Sequence, residues 1–470
     1  MSLSTVIAEQ AGLFGRHVRP RERERAGHAS ALPPGPPWPP ALQLYMWLRR
    51  PFELMRYGRA RYGTPFTLKL PRLESIVVFD DPESIKDIFT GSSDTMYAGR
   101  ANEPLRPLLG EGSLLLLDGP RHLRERKLLL PPFHGARMHR YGAEMRDLTA
   151  RALERWPLDR PHGAHQVTQS ITLDVILRTV FGVEEGSRMD ALRDAIVELT
   201  EAYSTPTVLV PALQVDLGPR SPWGRCVRSR AKSDALLLEQ IEDRRAHGGG
   251  DDVLSLMLAA RYEDGSAMTD GELRDELVTL LAAGHETTAT ALAWTLWLLA
   301  ENPSVLAKVH EELDRVVGAT TLDPEVSLPY LDAVCKESLR LRPVVMAVGR
   351  VLQAPERVRG IEYPAGVMLS PNIYLTHLNP AVWRDPERFD PARFLEAKPT
   401  PYEFLPFGGG VRRCLGMAFA LYEMRIILAT ILANRSVRPA PGVRVHPERR
   451  NVTMTPSGGM PLVLSRRTPT

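Results

Sequence analysis

The 470-residue sequence predicts a mainly α-helical fold with small β-sheets, built as a single domain. Three observations carry that expectation. From about residue 120 to 345, apolar residues recur at helical spacing. Strand-like alternation is confined to 65–80 and 348–376. No internal repeat or low-complexity segment divides the chain. With 43% hydrophobic and 24% charged residues, the composition suits a soluble globular protein with a large core.

Residues 1–31 are expected to form a flexible N-terminal tail. The stretch RHVRPRERERAGHAS is arginine-rich, but it carries Glu22 and Glu24 and follows no apolar core, so it does not read as a signal peptide. LPPGPPWPP (32–40) cannot be helical and is expected to pack along the surface. YMWLRRPFELMRYGRARYG then has helical spacing, and PFTLKLPRLESIVVFD (65–80) reads as a hairpin. Thr269 and Glu272 form a capping-box pattern that opens a helix over 270–302, about 31 residues or roughly 46 Å long. Asn302-Pro303 suits the cap and first position of the next helix, 303–317. A further helix, 329–342, stops before Pro343. The alternating region 348–376 is broken by Pro355, Gly360 and Pro364-Ala365-Gly366. A polar, proline-rich stretch (379–406) leads to FGGGVRRCLG (407–416), and 415–434 is helical again.

The most apolar run, 277–300, has the length of a membrane span. His285 and Glu286 stand at its middle, where charge is costly in lipid, so it reads as a buried helix of a protein with no transmembrane anchor. A net charge of +3 offers no footprint for nucleic acid. Three cysteines, Cys226, Cys335 and Cys414, cannot build a disulfide framework, which points to a reducing, cytoplasmic compartment.

One of those rare cysteines directly follows a glycine-rich loop. FGGGVRRCLG lacks the G-x-x-x-x-G-K-[ST] pattern of a phosphate loop, and no second Cys or His lies at zinc-ligand spacing. A cysteine at a helix start meets unpaired N–H groups, which favour the thiolate. Glycines allow a close approach to a flat object, and Arg412 can meet a carboxylate. Haem suits all three features. The spacing Phe407, Gly410, Arg412, Cys414, Gly416 resembles the cytochrome P450 signature F-x-x-G-x-R-x-C-x-G at every position. The resemblance implies that Cys414 is the thiolate ligand to the iron of haem b and that Phe407 packs beside its sulfur. Gly410 would then shape the turn, and Gly416 would bring the next helix close to the macrocycle.

Three further segments match the family in its order. AGHETT (283–288) carries an acid–alcohol pair, Glu286 and Thr287, which the resemblance makes the proton-delivering catalytic groups. His285 is left as helix surface or structural, and Ala289 rules out a zinc helix at this point. KESLRLRP (336–343) carries Glu337 and Arg340. Family resemblance implies that these are buried and completed by an arginine of DPERFDPARF, taken as Arg393 rather than Arg388, in an architectural triad. DGPRHLRERKLL (118–129) supplies His122 and Arg126, which with Arg350 are implied partners of the haem propionates.

The resemblance covers roughly 32–465, making 32–470 a cytochrome P450 catalytic domain of soluble bacterial type. It implies a monooxygenase that inserts one atom of O2 into a lipophilic small molecule of fatty acid, terpenoid or polyketide type. Leu281, Ala282, Ala283, Val345, Met346 and Val348 are expected in the substrate pocket, together with parts of 91–112 and 183–225. Too little chain follows Cys414 for a reductase domain. NAD(P)H-derived electrons would therefore come through a separate ferredoxin and ferredoxin reductase, docking on Arg121, Arg124 and Arg413 of a monomer. A haem-binding sensor or carrier and a peroxide-dependent hydroxylase are the alternatives, and the Glu286–Thr287 pair argues against both.

Overall fold

The computed structural model describes residues 32–467 except 72–73, 134–136, 184–185, 205–209, 211–212, 249 and 318–325. The expected N-terminal tail lies outside the described residues, as do parts of the 183–225 region. Helices of seven or more residues are numbered in chain order: α1 (Pro40–Arg49), α2 (Pro51–Tyr62), α3 (Pro82–Thr90), α4 (Gly119–Leu129), α5 (Arg137–Arg155), α6 (Ala164–Thr179) and α7 (Ser187–Tyr203). They continue with α8 (Pro222–His247), α9 (Val253–Ala259), α10 (Asp270–Glu301), α11 (Pro303–Val317), α12 (Pro329–Leu341) and α13 (Met417–Asn434).

The helical stretch after the proline-rich segment is two helices, because Pro51 opens a new one at its first position. Gln43 holds the proline-rich segment in place. Its side-chain amide donates to the carbonyls of Pro36 (3.1 Å) and Trp38 (2.9 Å), and its oxygen accepts from Lys69 N–H (2.9 Å). The expected hairpin is present, with β1 (Phe66–Lys69) antiparallel to β2 (Ser75–Phe79). Together with β3 (Met96–Tyr97), β5 (Arg350–Leu352) and β8 (Met368–Pro371) it forms a five-stranded sheet of order β1-β2-β8-β5-β3. The remaining strands make small sheets. β4 (His162–Gly163) joins β12 (Pro461–Arg466) and β9 (Arg435–Pro439), β6 (Glu356–Val358) pairs with β7 (Ile361–Tyr363), and β10 (Pro447–Arg450) pairs with β11 (Thr453–Pro456).

α10 is the axis of the helical part. Both halves of its capping box are made: Glu272 N–H donates to Thr269 Oγ1 (3.3 Å) and Thr269 N–H to Glu272 Oε2 (2.9 Å). The apolar run expected to be a buried helix is buried continuously from Thr288 to Ala300. α10 packs against α6, α12 and α13. Two α6 hydroxyls pin it, Thr168 Oγ1 donating to Ala289 O (3.0 Å) and Thr172 Oγ1 to His285 O (3.2 Å). Among the described residues one helix, Met417–Asn434, is long and apolar enough to cross a membrane. It is a largely buried core helix, with Ile427 and Leu428 fully buried and with Glu423 and Arg425 within it.

Glu337 and Arg340 lie fully buried on α12, joined by bonds of 2.7 and 2.8 Å. Arg393 Nε reaches Glu337 Oε1 at 3.0 Å. Arg388 takes part only through its carbonyl, which accepts from Arg340 at 3.1 Å. Arg340 also donates to His377 O and Pro386 O, so the group knits α12 to the polar stretch that leads to the cysteine loop.

Candidate active site

The cysteine loop turns before it meets its helix. Gly410–Arg412 form a single 3-10 turn, and α13 begins only at Met417, with Gly416 as its N-cap. The helix expected from 415 therefore starts two residues later. Cys414 sits just ahead of it, with its N–H bonded to Phe407 O at 2.9 Å. Gly410 has φ +63°, and a Cβ there would lie 2.2 Å from the Phe89 carbonyl oxygen at the end of α3. A Cβ on Gly409 would strike the Phe89 ring at 2.1 Å. These two glycines thus allow contact with protein. Gly416 is the one that faces open cavity, with no atom within 4 Å of a Cβ.

Cys414 is exposed, although its sulfur lies deep in the fold, because it forms part of the wall of a cavity of about 1190 Å³. Burial pushes the thiol above its ordinary range, while the Gly416 amide and the charges of Arg126 and Arg413 pull it down. His122, Arg126, Arg350 and Arg412 line the same cavity. His122 is held neutral, its pKa lowered to about 3 by burial and then by Arg412, Arg126 and Arg350. Burial lowers Arg350 to about 10, and its guanidinium donates to Gly349 O (2.8 Å) and Gly409 O (3.3 Å). Arg412 is bonded to Asp118 and to the carbonyls of Leu117 and Leu114, the last at 3.0 Å. Asp118 also accepts from the amides of Gly99 (2.8 Å) and Arg100 (3.0 Å).

Across α10, the AGHETT segment lines the cavity through Ala283, Gly284, Glu286, Thr287 and Thr288. A Cβ on Gly284 would fall 2.6 Å from Ile176 Cδ1, so the glycine permits close approach of α6. Thr287 Oγ1 donates back to Ala283 O. Glu286 Oε2 accepts from Gln169 Nε2 at 2.7 Å. Its Oε1 is buried without a hydrogen bond, 3.8 Å from both His165 Nε2 and Arg450 Nη1. Burial raises the Glu286 carboxyl above its usual range against the pull of Arg450 and Gln169. His285 is 3% exposed, which removes the surface option. Burial, then Arg450, pushes its pKa down to about 4.

Leu281, Ala282, Ala283, Val345, Met346 and Val348 all line the cavity. The expected docking arginines differ from one another. Arg121 pairs with Glu272 (3.7 Å) and Arg124 with Asp264 (3.2 Å), whereas Arg413 is exposed and also reaches the cavity edge.

The residues fit a haem. His122, Arg126, Arg350 and Arg412 converge with Asp118 as their one nearby carboxylate among the described residues, an excess of positive charge that the two propionates would balance. Among the described residues no group of three His, Cys, Asp or Glu side chains could hold a bare metal ion. Gly416 leaves room for a flat macrocycle beside the sulfur.

Sequence reasoning missed Asp118, Gln169, His165 and Arg450. Asp118 opens a segment already singled out, and its place just before a Gly-Pro helix start was a signal. Gln169, His165 and Arg450 carry none, because α6 and β10 meet Glu286 only through tertiary packing.

Comparison with known proteins gives one answer. The family model described as Cytochrome P450 matches residues 33–463. Cytochrome P450 135B1 of Mycobacterium tuberculosis is 40% identical over 433 residues, covering 91% of this chain and 90% of that protein. Cytochrome P450 138 of the same species is 37% identical over 444 residues, covering 93% and 97%. The solved structure of retinoic acid bound cyanobacterial CYP120A1 superposes with a TM-score of 0.81 at 26% identity, covering 93% of this chain and all of that one.

Proposed function

The chain belongs to the cytochrome P450 family and is a haem-thiolate monooxygenase of bacterial type, and from that premise we propose that it oxidises a lipophilic small molecule with electrons delivered by separate proteins. The observation that carries the reading is the shared cavity. Cys414, the Glu286–Thr287 pair and a wall of Leu, Val, Ala and Met side chains border one space. When bound, haem supplies the iron and the redox chemistry that activates dioxygen.

The chain's own residues do the rest. Cys414 holds the iron, while His122, Arg126, Arg350 and Arg412 orient the propionates. Glu286, held through Oε2 by Gln169 and raised by burial above its usual range, stands at the cavity wall as the acid that would deliver a proton. Thr287 offers its hydroxyl one residue on, at the cavity wall. The apolar lining excludes water and favours an apolar substrate. The cyanobacterial neighbour likewise has a lipophilic molecule, retinoic acid, bound to it. NAD(P)H-derived electrons arrive through a ferredoxin and its reductase, and the enzyme works in the cytoplasm as a monomer.

Purified protein, reduced and exposed to carbon monoxide, should give the thiolate-type haem spectrum, and Cys414→Ser should abolish it. A colourless protein, or a spectrum unchanged by that substitution, overturns the reading. A ligand panel scored by haem spin state then identifies the substrate.

A further inference from the structure

The hairpin β10–β11 docks on the segment that forms one cavity wall, through Met454 N–H to Val344 O (2.8 Å) and a bridge between Val345 and Thr453. Its residues Arg449 to Thr453 line the cavity. Successive strand residues point to opposite sides. Arg450 accordingly lies 3.8 Å from Glu286, and Glu448 pairs with His446 at 3.2 Å. Arg449 has no such partner. Its guanidinium stacks over Trp47 at 4.2 Å, its Nε is buried without a hydrogen bond, and no carboxylate pairs with it among the described residues. Burial alone pushes it down to about 10.

A guanidinium half-removed from water with no counter-charge is costly unless a ligand completes it. Trp47, Met55, Leu68 and Met346 line the same cavity as Arg449. Arg449 packs on Trp47, and among the described residues no hydrogen bond or ion pair joins it to His122, Arg126, Arg350 or Arg412. His122, Arg350 and Arg412 are perturbed by one another and by Arg126 or Asp118, and none of them by Arg449.

We propose that Arg449 is a specificity-determining residue that binds the carboxylate of a lipophilic monocarboxylic acid substrate, whose apolar chain runs through the cavity towards Cys414. A planar guanidinium matches a carboxylate through two parallel N–H···O bonds. The Trp47 face keeps the guanidinium in place by cation–π attraction. The assignment rests on the monooxygenase reading above, because it describes the substrate of that same cavity.

The test is calorimetric titration of the haem-loaded enzyme with dodecanoic acid and with dodecan-1-ol, which share a chain and differ in the head group. Wild-type enzyme should bind the acid about tenfold or more tighter than the alcohol. Arg449→Gln should erase that preference and leave alcohol binding unchanged, whereas Arg449→Lys should keep part of it. Equal binding of the two probes by wild-type enzyme overturns the assignment, as does failure to bind the acid. So does an Arg449→Gln variant that weakens both probes alike, which would mark Arg449 as packing only. If Arg449→Gln does not fold, the wild-type preference and the Lys variant still decide. Acid preference in a protein lacking the thiolate-type carbon monoxide spectrum would fault the monooxygenase reading and leave the carboxylate site standing.

Discussion

Gln169 Nε2 stands 2.7 Å from Glu286 Oε2, so a residue of α6 decides how the acid of the α10 pair is oriented. Glu286 Oε1 is left without a hydrogen bond, within 3.8 Å of His165 and Arg450. Glu286→Gln preserves size and removes the proton. Product formation should fall roughly a hundredfold, the scale of a lost general acid, with substrate binding unchanged. Gln169→Ala, which frees the carboxylate without removing it, should give a smaller loss. Steady-state turnover with the natural electron donors checks both, and full activity in Glu286→Gln would exclude the proton-delivery role.

The buried triad makes an unequal prediction for two neighbouring arginines. Arg393→Ala leaves Glu337 short of a partner in a dry site, and should cost about 3 kcal/mol or more of stability. Arg388→Ala keeps the carbonyl that Arg340 uses, and should stay within about 1 kcal/mol. Denaturant melts of the two variants side by side give the comparison. Equal costs would mean that the two guanidiniums matter alike.

Gly410 and Gly442 both have positive φ, +63° and +73°, but only Gly410 faces an atom that cannot move aside. Gly442→Ala should cost about 1 kcal/mol from backbone strain alone. Gly410→Ala must also displace the Phe89 carbonyl, and should yield protein with little bound haem. The ratio of Soret to protein absorbance after purification reads this directly.

His377 predicts an acid limit to stability. Leu405 N–H donates into its Nε2 at 3.0 Å, so the proton sits on Nδ1, 3.1 Å from Arg340 O, and the buried ring is neutral. Burial, then Arg340, lowers its pKa from 6.5 to about 3. Between those values the unfolded chain binds the extra proton and the folded one does not. This contribution is therefore present above pH 6.5 and is lost as pH falls from there towards about 3, by roughly 1.4 kcal/mol per pH unit. His377→Asn should flatten the acid side of the stability profile, measured by thermal melts from pH 7 to pH 4.

Electron delivery separates Arg413 from its neighbours. Arg121 and Arg124 already face Glu272 and Asp264, which leaves Arg413 as the stronger candidate for docking an acidic ferredoxin. Arg413→Glu should raise the apparent KM for ferredoxin several-fold at low salt, and Arg121→Glu should raise it less. An identical KM in wild type and Arg413→Glu, measured at low ionic strength, would remove the docking assignment.

The elements legible in the sequence were those written in local chemistry. Thr269 and Glu272 announced the start of α10, Pro343 the end of α12, and the cysteine motif the cofactor loop. The local wording favoured Arg388; only the family resemblance pointed to Arg393, the arginine that reaches Glu337. What stayed hidden depended on contacts between distant segments. Nothing near Gln169 says that it faces Glu286, and nothing near Gly409 says that its neighbour is Phe89. His285 sits on an apolar run that hides whether the ring meets solvent or α6. Nothing near Arg449 in the sequence says that a strand places it against Trp47.

Asp118 joins two ends of the same path. One carboxylate ties the amides of Gly99 and Arg100, in a segment that lines the cavity, to the guanidinium of Arg412, two residues from the sulfur. Any movement of 98–101 large enough to break the amide bonds therefore also unsettles the arginine expected to grip the haem. What passes that segment and what holds the iron are fastened at a single joint.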